Sequence, residues 1–80
     1  MTKYEPLYKF LVAKRSTTQT LTFEDIEIIL RDSLPRSARE AKHWWTNKPY
    51  LTQAKAWLDA GWRVEKVDLG HRTVKLTRRG

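Results

Sequence analysis

Eighty residues without a cysteine make one domain held by apolar packing, and exclude both a disulfide framework and a thiolate zinc site. A formal charge of +7, from 16 lysines and arginines against nine acids, points to a polyanionic partner. The segment MTKYEPLYKFLVAKR lacks the apolar run of a signal peptide, and nothing approaches the roughly 20 apolar residues of a membrane span, so a cytoplasmic domain without membrane contact is expected.

Pro6 suits the first turn of a helix, and Leu7, Phe10, Leu11 and Lys14 follow at helical spacing, which predicts a helix over about 6–15. The threonine-rich, alternating Thr18–Phe23, with Leu21 and Phe23 on one side, predicts a short strand. Thr22 is placed to cap a second helix, with Glu24 and Asp25 in its positively polarised first turn and Ile26, Ile29 and Leu30 as its buried stripe. SLP at 33–35 stops it. Ser37-Ala-Arg-Glu40 has the spacing of a capping box, so a third helix is expected there, running to about Trp45–Thr46. Asn47-Lys-Pro49 breaks it, and a fourth helix opens at Leu51 or Thr52 and ends at Gly61. Val67 and Leu69, then Val74 and Leu76, alternate around Gly70 as a β-hairpin. The expectation is an α+β domain over residues 1–80 of winged helix-turn-helix type, with three to four helices, a short strand and a C-terminal hairpin.

Four tryptophans are many for so short a chain. On a helix over 37–47, Ala38, Ala41, Trp44 and Trp45 share an arc of roughly 120°, which assigns both indoles to the core. A stack of Trp45, Trp57 and Trp62 is the expected centre. The opposite arc collects Arg39, Lys42, His43 and Thr46.

Charge is unevenly spread. FEDIEIILRD (23–32) holds Glu24, Asp25, Glu27 and Asp32 against Arg31; from Arg36 onward the balance reverses, with eleven lysines and arginines against Glu40, Asp59, Glu65 and Asp68. The helix before a wing usually enters the major groove, yet here its outward side is poor in cations and Asp59 would repel phosphate. Its start is better suited, because Lys48, Tyr50, Thr52, Gln53 and Lys55 gather where free backbone N–H groups favour a phosphate oxygen. Arg36, Arg39, Lys42 and His43 would follow the flanking backbone. Gln53 is the base-reading candidate, since its amide can pair with N6 and N7 of adenine. His71 and Arg72 occupy the hairpin tip, where a wing would touch the minor groove or backbone.

The stretches LTFEDIEIIL, LPRSAREAKHWWTN, AKAWLDAGWRVEKVDL and TVKLTR carry an LP-x-SAR, WW-x-N and AWL-x-AGW pattern in that order. In this the chain resembles a small uncharacterised domain family of bacterial and mobile-element proteins, some of them linked to DNA restriction or modification. The resemblance spans about Tyr4 to Arg78 and carries no catalytic residues. It implies that Ser37, Arg39 and Asn47 matter beyond packing, although for Ser37 an N-cap is the plainer reading.

Catalytic signals are poor. His43 and His71 have no metal-ligand spacing, three glycines form no phosphate-binding loop, and the acids of 23–32 suit the dipole of their helix. No enzyme, metal or cofactor is expected; a small ribonuclease built on His43, Arg39 and Lys42 is the one catalytic alternative. The reading is therefore a small basic protein that binds double-stranded DNA, as a transcriptional regulator or an accessory recognition module of a mobile element or restriction-type system. A second copy of the chain is a candidate partner. The alternative is a protein-interaction module or inhibitor anchored on an exposed tryptophan or Tyr50.

Overall fold

The computed structural model describes residues 2–78. It is an α+β domain of four α-helices and a three-stranded antiparallel sheet. In chain order these are α1 (Glu5–Val12), β1 (Thr18–Thr22), α2 (Phe23–Leu30), α3 (Arg36–Glu40), a 3₁₀ turn (Lys42–Trp45), α4 (Thr52–Asp59), β2 (Trp62–Asp68) and β3 (Thr73–Arg78). The sheet order is β1-β3-β2, so the last strand lies in the middle. Leu21, Val64, Val67, Val74 and Leu76 turn inward to meet the helices. Val64 and Val67 share that face although three residues apart, because the β2–β3 register slips between Val64 and Lys66 and leaves Glu65 as the extra residue of a bulge.

α2 begins as its sequence requires. Thr22 accepts from the Asp25 amide and Asp25 accepts from the Thr22 amide, both at 2.9 Å, a complete capping box. Its stripe is Phe23, Ile26 and Leu30, with Ile29 only half-buried. α1 stops at Val12, short of the expected 15. The guanidinium of Arg78 takes the carbonyls of Lys14 and Arg15 at 2.8 and 2.9 Å, and Trp62 Nε1 donates to the Leu11 carbonyl at 3.0 Å. These bonds fasten the end of α1 to the hairpin and hold the chain out of helical geometry.

The third helix departs most from expectation. Pro35, not Ser37, is the N-cap, and no side chain caps α3. The continuous helix to Trp45–Thr46 is absent: Ala41 is extended, at φ −136° and ψ 124°. The reason lies in Trp45. Its Nε1 donates to the Ala38 carbonyl at 2.8 Å, the acceptor that a continuous helix would give to the Lys42 amide. Breaking the helix lets the indole fold back over α3, where Ala38 has no bulk to block it.

Trp45 thereby enters a sandwich. It stacks on Phe23 of α2 (ring centroids 5.0 Å apart, planes 16° apart) and on Trp57 of α4 (6.0 Å, 15°). Trp44 meets Trp45 edge-on at 4.6 Å and lies half-buried beside Tyr4. The expected stack thus has the right centre but one wrong member. Phe23 takes the place of Trp62, which sits apart under the Arg78 guanidinium, 5.7 Å from the ring centroid. Gly61 ends α4 in the left-handed region at φ 87°; the hairpin uses Arg72 at φ 54° rather than Gly70 for the same purpose.

Replacing Trp57 by Ala is expected to unfold the domain or nearly so. Loss of a buried tryptophan costs roughly 3–5 kcal/mol, against a total of about 5 for a domain of this size. Trp45→Ala should be nearly as damaging. Thermal melts followed by circular dichroism check both; an unchanged midpoint would contradict the sandwich.

Candidate nucleic-acid interface

The candidate residues of 36–55 divide into those the fold consumes and those it leaves outside. Arg36 is exposed and pairs with Glu40 at 3.0 Å, an i,i+4 contact of little energetic weight. Ser37 is exposed within the first turn of α3. Lys42, His43, Lys48 and Thr52 are exposed, and Tyr50 is 75% exposed. Among the described residues Lys42 and Lys48 take part in no ion pair. Lys55 bridges to Asp59 at 3.1 Å.

Two candidates turn inward. Gln53 is only 9% exposed, and its Nε2 donates to the Trp44 carbonyl at 3.0 Å. In this arrangement its amide secures the start of α4 to the 3₁₀ turn rather than facing outward. Asn47 makes three hydrogen bonds within the fold through its amide. Its Oδ1 accepts from Trp57 Nε1 at 2.9 Å and from the Val64 amide at 2.8 Å, while its Nδ2 donates to the Val64 carbonyl at 2.9 Å. Both look solvent-facing in the sequence because their partners, the Trp57 indole and Val64 backbone for Asn47 and the Trp44 carbonyl for Gln53, lie nine or more residues away.

Arg39 stays exposed but is also engaged by the fold. Its Nη2 pairs with Glu27 Oε2, and the same carboxylate oxygen accepts from the Leu34 amide at 2.8 Å. The Leu34 amide, then the Arg39 hydrogen bond, hold the Glu27 carboxyl below the usual glutamate range. One side chain of α2 thus anchors both the loop after it and α3. At the hairpin tip, His71 is tied to Asp68 through its backbone amide at 3.1 Å and through Nδ1 at 2.8 Å. The His71 contact keeps the Asp68 carboxyl below its ordinary range.

The candidates do not converge on one patch. Arg39, His71 and Arg72 line a depression shared with Thr22, Glu24 and Glu27. Thr52 and Lys55 face another beside Glu5, Tyr8 and Asp59. Lys42 borders a third, between the 3₁₀ turn and β2, with Thr46, Glu65 and Lys66. Sequence reading passed over Arg63, Lys66 and Lys75, exposed cations on the outer side of the hairpin. The signal was present in the polar half of RVEKVD and TVKLTR, whose apolar half alone was used to find the strands. Among the described residues no cluster of His, Asp and Glu could hold a metal ion, and no helix is long and apolar enough to cross a membrane.

The architecture and charge define a small basic α+β domain whose exposed cations include Lys42 on the 3₁₀ turn, Lys48 on the approach to α4 and Arg63, Lys66 and Lys75 on the hairpin, with others on and after α1, after α2 and on α3. The chain belongs to the family described as domain of unknown function DUF7662, whose model matches residues 4–79. No curated protein and no solved structure matches it.

Glu27 sets a pH dependence. Because its folded carboxyl titrates below the unfolded one, it adds stability above the ordinary glutamate range, and this is lost as pH falls through the lowered folded value. Glu27→Gln is therefore expected to destabilise by about 1 kcal/mol at pH 7, with the gap to the wild type narrowing at pH 3. Urea titrations at the two pH values measure it; an equal gap at both would show that the charge of Glu27 is not what anchors α3.

Proposed function

We propose that this domain binds double-stranded DNA, as a regulator or as an accessory recognition module of a mobile-element or restriction-type system, and that its fold is of the winged-helix kind. The element order α1, β1, α2, α4, β2, β3 with the last strand central supports the fold reading. Trp45 departs from the usual arrangement by standing between α2 and α4, where a helix-turn-helix would pack the two directly.

The observation that carries the functional reading is the sorting of charge. The acids of α2 are largely occupied within the fold, Asp25 in a cap and Glu27 on Arg39 and Leu34. Lys42 and Lys48 are left exposed, flanking His43 and followed by Tyr50 and Thr52 at the approach to α4. With Gln53 buried, the strongest base-reading side chain is withdrawn. What remains is phosphate-directed, so affinity governed by salt and weak discrimination among sequences is expected.

The protein-interaction alternative has two exposed anchors in its favour. Tyr50 is 75% exposed, and Ile28, 67% exposed on α2, borders an apolar groove with Phe10, Leu21 and Ile29. A tryptophan does not serve, since three indoles are buried and Trp44 is half-buried.

A fluorescence titration with mixed-sequence duplex DNA at several salt concentrations tests the main reading. Log K should fall linearly with log salt, by about 0.9 per phosphate neutralised. Lys42→Ala and Lys48→Ala should each weaken all duplexes alike and flatten the slope by about one phosphate. Lys9→Ala on α1 should change little. Absence of binding to several unrelated duplexes at low salt would transfer the weight to the protein-interaction alternative.

A further inference from the structure

The outer face of the sheet is laid out in three rows by the strand register: Thr18–Thr77–Arg63, Thr20–Lys75–Lys66 and Thr22–Thr73–Asp68. Neighbouring strands lie roughly 4.8 Å apart and successive rows roughly 7 Å apart. Three cations, five threonines and Asp68, the last held by His71, therefore share a compact, polar face.

One pair on this face is hard to explain by folding. Lys66 and Lys75 are direct cross-strand partners, both exposed. Like charges in that relation destabilise a sheet. Glu65, displaced by the bulge, answers only Lys75, at 3.3 Å; Lys66 and Arg63 have no carboxylate partner among the described residues. An anion laid across the row would convert the repulsion into attraction. Local conflict of this kind tends to mark a functional surface.

We propose that this sheet face docks the sugar-phosphate backbone of double-stranded DNA, with Arg63, Lys66 and Lys75 on phosphates and threonine hydroxyls donating alongside. The inference rests on the DNA-binding reading above and extends it from the helical side to the flat of the sheet. Hydroxyl and cationic side chains are the usual phosphate contacts. The two regions are continuous, because Lys42 and Lys66 border the same groove between the 3₁₀ turn and β2. A folded protein partner fits poorly here, since the rows contain no aromatic or aliphatic anchor to fill a pocket. A phosphate backbone needs none.

The test compares Lys66→Thr and Lys75→Thr with Lys42→Ala, measuring duplex affinity between 50 and 200 mM salt together with melting temperature. Each sheet variant should melt at or above the wild-type temperature, because the like-charge pair is gone, yet bind more weakly. Its loss of affinity across that salt range should be smaller than the wild type's by a factor of about 3–4, the share of one phosphate contact. Lys66→Arg should keep wild-type affinity and slope, separating a charge effect from damage to the fold. If both threonine variants bind with wild-type affinity and slope while Lys42→Ala is weakened, the sheet face is not part of the contact and the helical reading stands alone. If the wild type binds no duplex at low salt, both readings fall together.

Discussion

The insertion of one indole between two helices governs this fold. Trp45 separates α2 from α4 by the thickness of a ring and touches both with its faces. To get there the chain must break its helix at Ala41, and the freed Ala38 carbonyl is satisfied by the indole N–H. The same placement brings Trp44 beside Tyr4, so that α1 joins through the edge of the cluster. An 80-residue chain without disulfides has little apolar area to bury, and stacked aromatic rings concentrate what there is.

The polar groups of the interior follow from the same cluster. Each buried indole demands an acceptor: Trp45 takes Ala38, Trp57 takes Asn47 and Trp62 takes Leu11. No buried side-chain nitrogen or oxygen among the described residues is left without a partner. Asn47 and Gln53 are thereby committed to the fold although their sequence neighbourhood is basic and loop-like. Arg39 and Arg78 are likewise committed, one to a carboxylate and the other to two carbonyls. Part of what looks like a basic, polar surface in the sequence is thus structural in the molecule.

Local features were legible from the chain. The Thr22 cap, the stop at Gly61 and the alternation of β3 each depend on residues a few positions apart, and each was found where the pattern put it, although the reciprocal bond from Asp25 that completes a capping box at Thr22 was not read. What escaped was decided at long range. The capping box at Ser37–Glu40 has the right spacing but yields to Pro35, which starts α3 two residues earlier. A helical wheel over 37–47 assigned Trp45 correctly to the interior, yet from a helix that does not exist. Only the positions of Phe23 and Trp57, far along the chain, reveal why Ala41 must be extended. The candidate surface fared likewise: exposure of Lys42, Lys48 and Tyr50 could be inferred locally, whereas burial of Gln53 depended on the Trp44 carbonyl nine residues away.

The double hydrogen bond between Asn47 and Val64 has a consequence for assembly. An amide that offers one donor and one acceptor to the N–H and C=O of a single strand residue imitates the backbone of a neighbouring strand. β2 is an outer strand of the sheet, and such borders invite pairing with other chains unless they are covered. Asn47 covers this one at its bulge, where the strand is also most twisted. A single side chain in a loop thus takes, at Val64, the place that a further strand would need for pairing.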